Sequence, residues 1–184
     1  MRVDSNNFSP FPLDTIPAVT PRENLILPYS TTQYPQITNV SFSSCTFNAL
    51  KDVAYGQISE LTMLATYNYQ SSVTTNLALK NSLNELADVE RDHLNVLAST
   101  IVAFGGNPNY KNSNGSAWMS SYVCFEKDPS IFIKNDICKK QRLILKYEDV
   151  KRCIKSLSVL QLINKLIADE NAQIIYLNNL LTII

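Results

Sequence analysis

The chain has 184 residues and equal numbers of acidic and basic side chains, so its formal net charge is zero. That length supports one domain with a proper core but not two, and Lys and Arg spread along the sequence exclude the basic footprint of a nucleic-acid binder or a polybasic membrane patch. No apolar run approaches the roughly 20 residues that span a bilayer, and Met1-Arg2-Val3-Asp4 leads into no secretory apolar segment, so a cytosolic protein is expected.

Six of the eight prolines (Pro10, Pro12, Pro17, Pro21, Pro28 and Pro35) fall before residue 41. Proline fixes φ and removes an amide donor, so residues 1–44 are expected to form an extended, polyproline-like arm. The arm also carries Phe8, Phe11, Leu25, Ile26 and Tyr34, more apolar surface than a disordered tail usually offers. That suits an arm packed along the domain or across to a neighbouring subunit.

From Ser43-Ser44 onward the spacing turns helical. A first helix is predicted over 45–70, with Leu50, Val53, Ala54, Ile58, Leu61, Leu64 and Tyr67 as its apolar stripe. A second is predicted over 74–104 on a seam of Leu79, Leu83, Leu86, Glu90, His93, Leu97, Thr100 and Phe104. Gly105-Gly106-Asn107-Pro108 then ends it, glycine taking a left-handed cap and proline barring continuation. The stretch to Pro129 is irregular, and its Trp118, Met119, Tyr122 and Phe125 suit a connection that lies down on the helices. A third helix is predicted over 130–154 on Ile133, Ile137, Ile144, Tyr147 and Ile154. Ser156 or Ser158 is expected to cap a fourth, which runs to about 182 on Leu160, Ile163, Ile167, Glu170, Ile174, Leu177 and Leu181. Four amphipathic helices with one long connection between the second and third describe an all-α, antiparallel four-helix bundle with a crossover, over residues 45–184.

The four cysteines (Cys45, Cys124, Cys138 and Cys153) form no C-x-x-C pair, which excludes a zinc-ribbon or rubredoxin-like module. In a reducing cytosol they are expected to be small buried apolar residues or inert thiols.

Polar residues interrupt each apolar stripe. Glu60 sits among Ile58, Leu61 and Leu64; Glu90 and His93 occupy consecutive seam positions; Lys140 falls between Ile137 and Ile144; Glu170 falls between Ile167 and Ile174, with Gln173 one turn on. Burying a lone carboxylate costs several kcal/mol, so such groups must be paired, protonated or metal-bound. Glu90-Arg91-Asp92-His93 is an E-x-x-H whose carboxylate and imidazole, three residues apart on a helix, can hold one metal together. A structural histidine is the ordinary reading of a single His on an apolar face. The convergence of Glu60, Glu90 and Glu170 on His93, the only histidine in the chain, favours a ligand.

Several segments carry a family resemblance: Glu60-Leu61, Glu90-Arg91-Asp92-His93-Leu94, Phe104-Gly105-Gly106-Asn107-Pro108, Trp118-Met119-Ser120-Ser121-Tyr122-Val123, Asp136-Ile137 with Ile144 and Tyr147, and Ile167-Ala168-Asp169-Glu170. Over residues 45–184 the chain resembles the ferritin-like, rubrerythrin-related di-iron carboxylate proteins of low-GC anaerobic bacteria. The resemblance implies that Glu60, Glu90, His93 and Glu170 are retained metal ligands. It also implies two losses: Lys140 stands where the family has a glutamate, seven residues before Tyr147, and Gln173 stands where it has a histidine, three residues after Glu170.

The full family set carries a charge of about minus four, which two divalent ions cancel. With a lysine replacing one glutamate, a single divalent ion suffices, as does a proton together with the lysine. A second ion would face the ammonium, and glutamine is a poor substitute for imidazole toward iron. The expected cofactor is therefore none or one divalent metal ion, iron or manganese, and not a full di-iron centre, with Lys140 pointing inward onto Glu170 or Glu60. The resemblance implies a structural or non-catalytic protein with a degenerate site; the alternative is a rubrerythrin-like non-haem iron peroxidase or oxidase in oxidative-stress defence. It further implies a cytoplasmic, spore-compatible homo-oligomer, a dimer through helix faces or the arm, with no nucleic-acid or membrane partner.

Overall fold

In a computed structural model the chain is described over residues 26–38 and 40–184. The predicted arm before residue 26 lies outside the described residues. Five α-helices follow one another: α1 (Ser44–Tyr55), α2 (Glu60–Val73), α3 (Leu77–Ala103), α4 (Pro129–Lys151) and α5 (Leu157–Leu180). Among the described residues there is no strand, only an isolated bridge between Lys111 and Ala117.

The helix predicted over 45–70 is two helices, α1 and α2. Gly56 ends the first, in extended backbone at ψ −175°, and a Cβ placed there would lie 2.5 Å from the Asp52 carbonyl oxygen. Ser59 starts the second: its hydroxyl accepts from the Thr62 amide and donates to the Gly56 carbonyl at 2.7 Å. Lys146 on α4 donates to the Ile58 carbonyl in the gap at 3.1 Å. The apolar stripe runs through the break without losing phase, so periodicity alone does not report it.

Helices α2 and α3 pack along each other, as do α4 and α5, and α1 lies against α2, α3 and α4. The short α2–α3 and α4–α5 connections make each pair antiparallel. Gly105 closes α3 with φ +79°. The connection beyond it travels along α1 and α2: Ser113 bonds Asp52, the Trp118 indole donates to Thr62, the Cys124 amide donates to Thr66, and Tyr69 donates to the Phe125 carbonyl. Asp128 then caps α4, with Pro129 in its first turn. Ser156 stands at the start of α5 without capping it; its hydroxyl pairs with that of Ser158.

Residues 26–38 and 40–43 contain no helix and run along α5. Ser30 and Tyr34 bond Asp169, while Thr38 exchanges hydrogen bonds with Ser158. Because the arm covers one flank of α5, its buried positions are Val159, Leu162, Ile163, Lys165, Leu166, Asp169, Glu170, Gln173, Leu177 and Leu180. Leu160, Ile167, Ile174 and Leu181 of the predicted seam are only partly buried. Lys165 and Asp169, polar positions outside that seam, are buried, as is Gln173.

The cysteine expectation fails at one pair. Cys45 at the start of α1 and Cys153 after α4 form a disulfide, with Cα atoms 5.5 Å apart, while Cys124 is half-buried and Cys138 exposed. Their 108-residue separation in sequence hid the pairing from a reading of local spacing.

The core has two apolar clusters. One holds Leu61, Leu94, Leu97, Leu143, Tyr147 and Leu166; the other holds Met63, Leu83, Leu86, Phe132, Ile133 and Leu177. Glu90 and His93 on α3, Lys140 on α4 and Glu170 on α5 each fall between the two sets along their own helix, so a charged layer divides the core.

Candidate metal centre

Glu60, Glu90, His93 and Glu170 come together. Each has no solvent exposure, and one ligand atom from each lies within 4.8 Å of those of the other three. Their positions follow from the helices: Glu60 is the first residue of α2, Glu90 and His93 share a face of α3, and Glu170 faces them from α5.

Lys140 is fully buried in the same cluster. Its Nζ lies 2.5 Å from Glu90 Oε1 and 2.9 Å from Glu170 Oε2. The expected pairing with Glu170 is present; the expected alternative, Glu60, is replaced by Glu90. Glu60 is engaged elsewhere: it accepts from the Tyr147 hydroxyl and faces His93 Nδ1 at 3.3 Å. The lysine reaches across from α4 to the α3–α5 side of the layer, whereas Glu60 enters beside Tyr147. Gln173 is buried one turn beyond Glu170, and neither of its amide atoms has a hydrogen-bond partner among the described residues.

The electrostatics make this a nearly closed set. Burial disfavours the charged imidazole, but Glu60 and the hydrogen bonds from Asp169 and Glu170 prevail and hold the His93 pKa well above its ordinary value. Protonated His93 then donates from both nitrogens, Nδ1–H toward Glu60 and Glu170 and Nε2–H to Asp169 at 3.1 Å. Burial opposes the Lys140 ammonium as well, yet Glu170 and Glu90 outweigh it and raise its pKa. The glutamates divide: burial pushes Glu90 well up, whereas in Glu60 His93 overcomes burial and holds the carboxyl low. Burial thus leaves Glu90 as the glutamate that keeps a proton. Three glutamates, one proton, one imidazolium and one ammonium leave no net charge.

Behind His93, Asp169 gathers four donors. Asp169 accepts from His93 Nε2, from Lys165 at 2.6 Å, from the Ser30 amide at 2.6 Å and from the Tyr34 hydroxyl at 3.2 Å. Burial pushes Asp169 up, but the bonds from His93 and Lys165 prevail and hold it low. Asp169, Lys165, Ser30, Tyr34 and the role of Tyr147 escape sequence reasoning. The i, i+4 spacing of Lys165 and Asp169 was the one local signal; the arm residues had none, since irregular backbone carries no period.

Comparison with known proteins bears on the architecture. No protein-family model and no curated protein matches the chain. Among solved structures, a manganese catalase from Anabaena superposes with a TM-score of 0.74 at 20% identity, covering 84% of this chain and 79% of that one. A bacterioferritin from Desulfovibrio desulfuricans, described with its diiron site, gives 0.63 at 16% identity, covering 77% and 84%. A dodecameric thioferritin from Bacteroides fragilis gives 0.62 at 15%, covering 77% and 87%. The chain has a ferritin-like fold. At these identities the likeness fixes the path of the helices and no chemistry.

Glu60, Glu90, His93 and Glu170 offer carboxylate and imidazole donors that could hold a metal ion, where an arriving cation would displace protons. The Lys140 ammonium stands between the Glu90 and Glu170 carboxylates, and Gln173 cannot supply an imidazole.

Proposed function

We propose that this ferritin-like protein is a structural, non-catalytic member of its fold. Its centre is held by an internal lysine and binds at most one divalent ion, iron or manganese, through Glu60, Glu90, His93 and Glu170. The observation that carries the reading is Lys140, fully buried with its Nζ in contact with both Glu90 and Glu170. A metal ion bridging those carboxylates would have to displace an ammonium already paired twice, and two-metal redox chemistry needs both ions.

Self-association through helix faces belongs to the same reading, supported by the dodecameric assembly of the thioferritin neighbour. No helix among the described residues is long and apolar enough to cross a membrane.

Elemental analysis of protein expressed anaerobically in iron- and manganese-replete medium tests the reading. It requires one equivalent or less of either metal per chain. Two irons or two manganese ions per chain, with a dinuclear spectrum, would overturn it and restore the peroxidase or oxidase alternative.

A further inference from the structure

One turn away from the lysine-held cluster lies a second set of buried polar groups. Tyr67 and Gln70 share a face of α2, Asp136 lies one turn before Lys140 on α4, and Gln173 lies one turn after Glu170 on α5. Since α4 and α5 are antiparallel and joined through Lys140 and Glu170, Asp136 and Gln173 occupy the same level of the bundle. All four residues have zero exposure. The Tyr67 hydroxyl, both oxygens of Asp136 and both amide atoms of each glutamine have no hydrogen-bond partner among the described residues.

Two electrostatic effects tie the set together. Asp136 is the leading charge acting on the Tyr67 phenol, and the Gln70 amide is near enough to Asp136 to draw its pKa down, though outside hydrogen-bonding geometry. The apolar cluster that holds Tyr67 also includes Leu83, Leu86, Phe132, Ile133 and Leu177. Buried polar atoms in native proteins find partners in protein, water or an ion, and so many orphans in one layer mark a place where something polar is held.

We propose that the Tyr67, Gln70, Asp136 and Gln173 layer is a second buried site, and that it takes one monovalent alkali cation, sodium or potassium. The chemistry selects the class. The available donors are carboxylate, amide-carbonyl and phenol oxygens, the hard set that binds alkali and alkaline-earth ions and not thiophilic metals. Carbonyl oxygens replacing a hydration shell are what potassium sites use. The layer contributes one formal negative charge, that of Asp136. One monovalent ion cancels that charge, whereas a divalent ion would leave a net positive charge buried beside the Lys140 ammonium, which lies 5.8 Å from the Tyr67 ring centroid. Burial pushes the Asp136 carboxyl up to about 7, and a bound cation would restore its ionised form.

The test is a set of thermal melts on the full chain after treatment with EDTA, at pH 8 and matched ionic strength, in sodium, potassium or choline chloride. Chelation removes iron and manganese from the neighbouring cluster, so failure of that reading leaves this comparison untouched. The expected result is a Tm several degrees higher in sodium or potassium than in choline, saturating with cation concentration as one-site binding requires, and absent in Asp136→Asn. Crystals soaked in rubidium or thallium should show an anomalous peak within the layer. Equal melting in all three salts, a shift that persists in Asp136→Asn, a preference for magnesium over the alkali ions, or soaked crystals holding only water in the layer would each overturn the proposal.

Discussion

Lys140 shows how one side chain resets the chemistry of a site. Its ammonium is desolvated completely, and only direct contact with the Glu170 carboxylate and a Glu90 carboxyl oxygen makes that tolerable. Lys140→Met should therefore destabilise the metal-free protein by about 3–5 kcal/mol, the usual effect of stranding one side of a buried ion pair, read from urea midpoints at pH 7. A thermodynamically neutral variant would mean that the carboxylates are protonated without it. The converse double variant, Lys140→Glu with Gln173→His, should raise metal content to two ions per chain. Asp136 gives a separate signature in choline buffers. Its ordinary pKa of 3.8 is pushed by burial to about 7 in the folded chain, opposed by Gln70, Lys139 and Lys140, while Tyr67 stays neutral. The native state thus holds a proton that the unfolded chain releases. Stability falls as pH rises through the window between those values and levels off above it, a change of at most about 4 kcal/mol. Asp136→Asn should flatten that profile. Lys140 was legible from the helical phase set by Ile137, Ile144 and Tyr147, although Ile137 and Ile144 are themselves only partly buried. Asp136 stood in the same phase but read as a neighbour of Ile137, since an apolar count gives a buried aspartate no weight.

At the scale of elements, the informative contacts join segments far apart in sequence. The arm meets α5 through Ser30, Tyr34 and Thr38, and Cys45 meets Cys153 across 108 residues. A crosslink closing a loop of that size restricts the unfolded chain most strongly. Reduction, or Cys45→Ser, should lower the unfolding free energy by about 2–4 kcal/mol, measured as a shift in urea midpoint with and without reductant. Equal midpoints would show that the crosslink does not form in solution. Helix existence and type were legible because apolar spacing is a local property. The α1–α2 break was legible only in Gly56 and Ser59, whose roles as terminator and cap compete with a stripe that continues in register across them. The arm's course and the disulfide were not legible, because nothing periodic connects their partners.

At the scale of the whole molecule, a charged layer separates two apolar clusters, an arrangement that a purely structural bundle does not require for stability. Burying ions costs desolvation energy that their mutual attraction only partly returns, so well-packed apolar side chains of similar volume often do as well or better. The charge balance shows which residues can leave together. Glu90 carries the proton, while Lys140 and Glu170 cancel; removing these three leaves Glu60 against the His93 imidazolium, still paired, with Asp169 against Lys165 behind them. Glu90→Leu, Lys140→Met and Glu170→Leu combined should therefore keep the helical content and be neutral or more stable by about 1–4 kcal/mol, although Lys140→Met alone is costly. The sign reversal between the single and the triple variant is the quantity to measure, by urea unfolding of both in metal-free buffer. A triple variant less stable than the single one would mean that the layer holds the helices in register through directional bonds that apolar packing cannot replace. The lysine would then act as a register pin and not as a substitute cation.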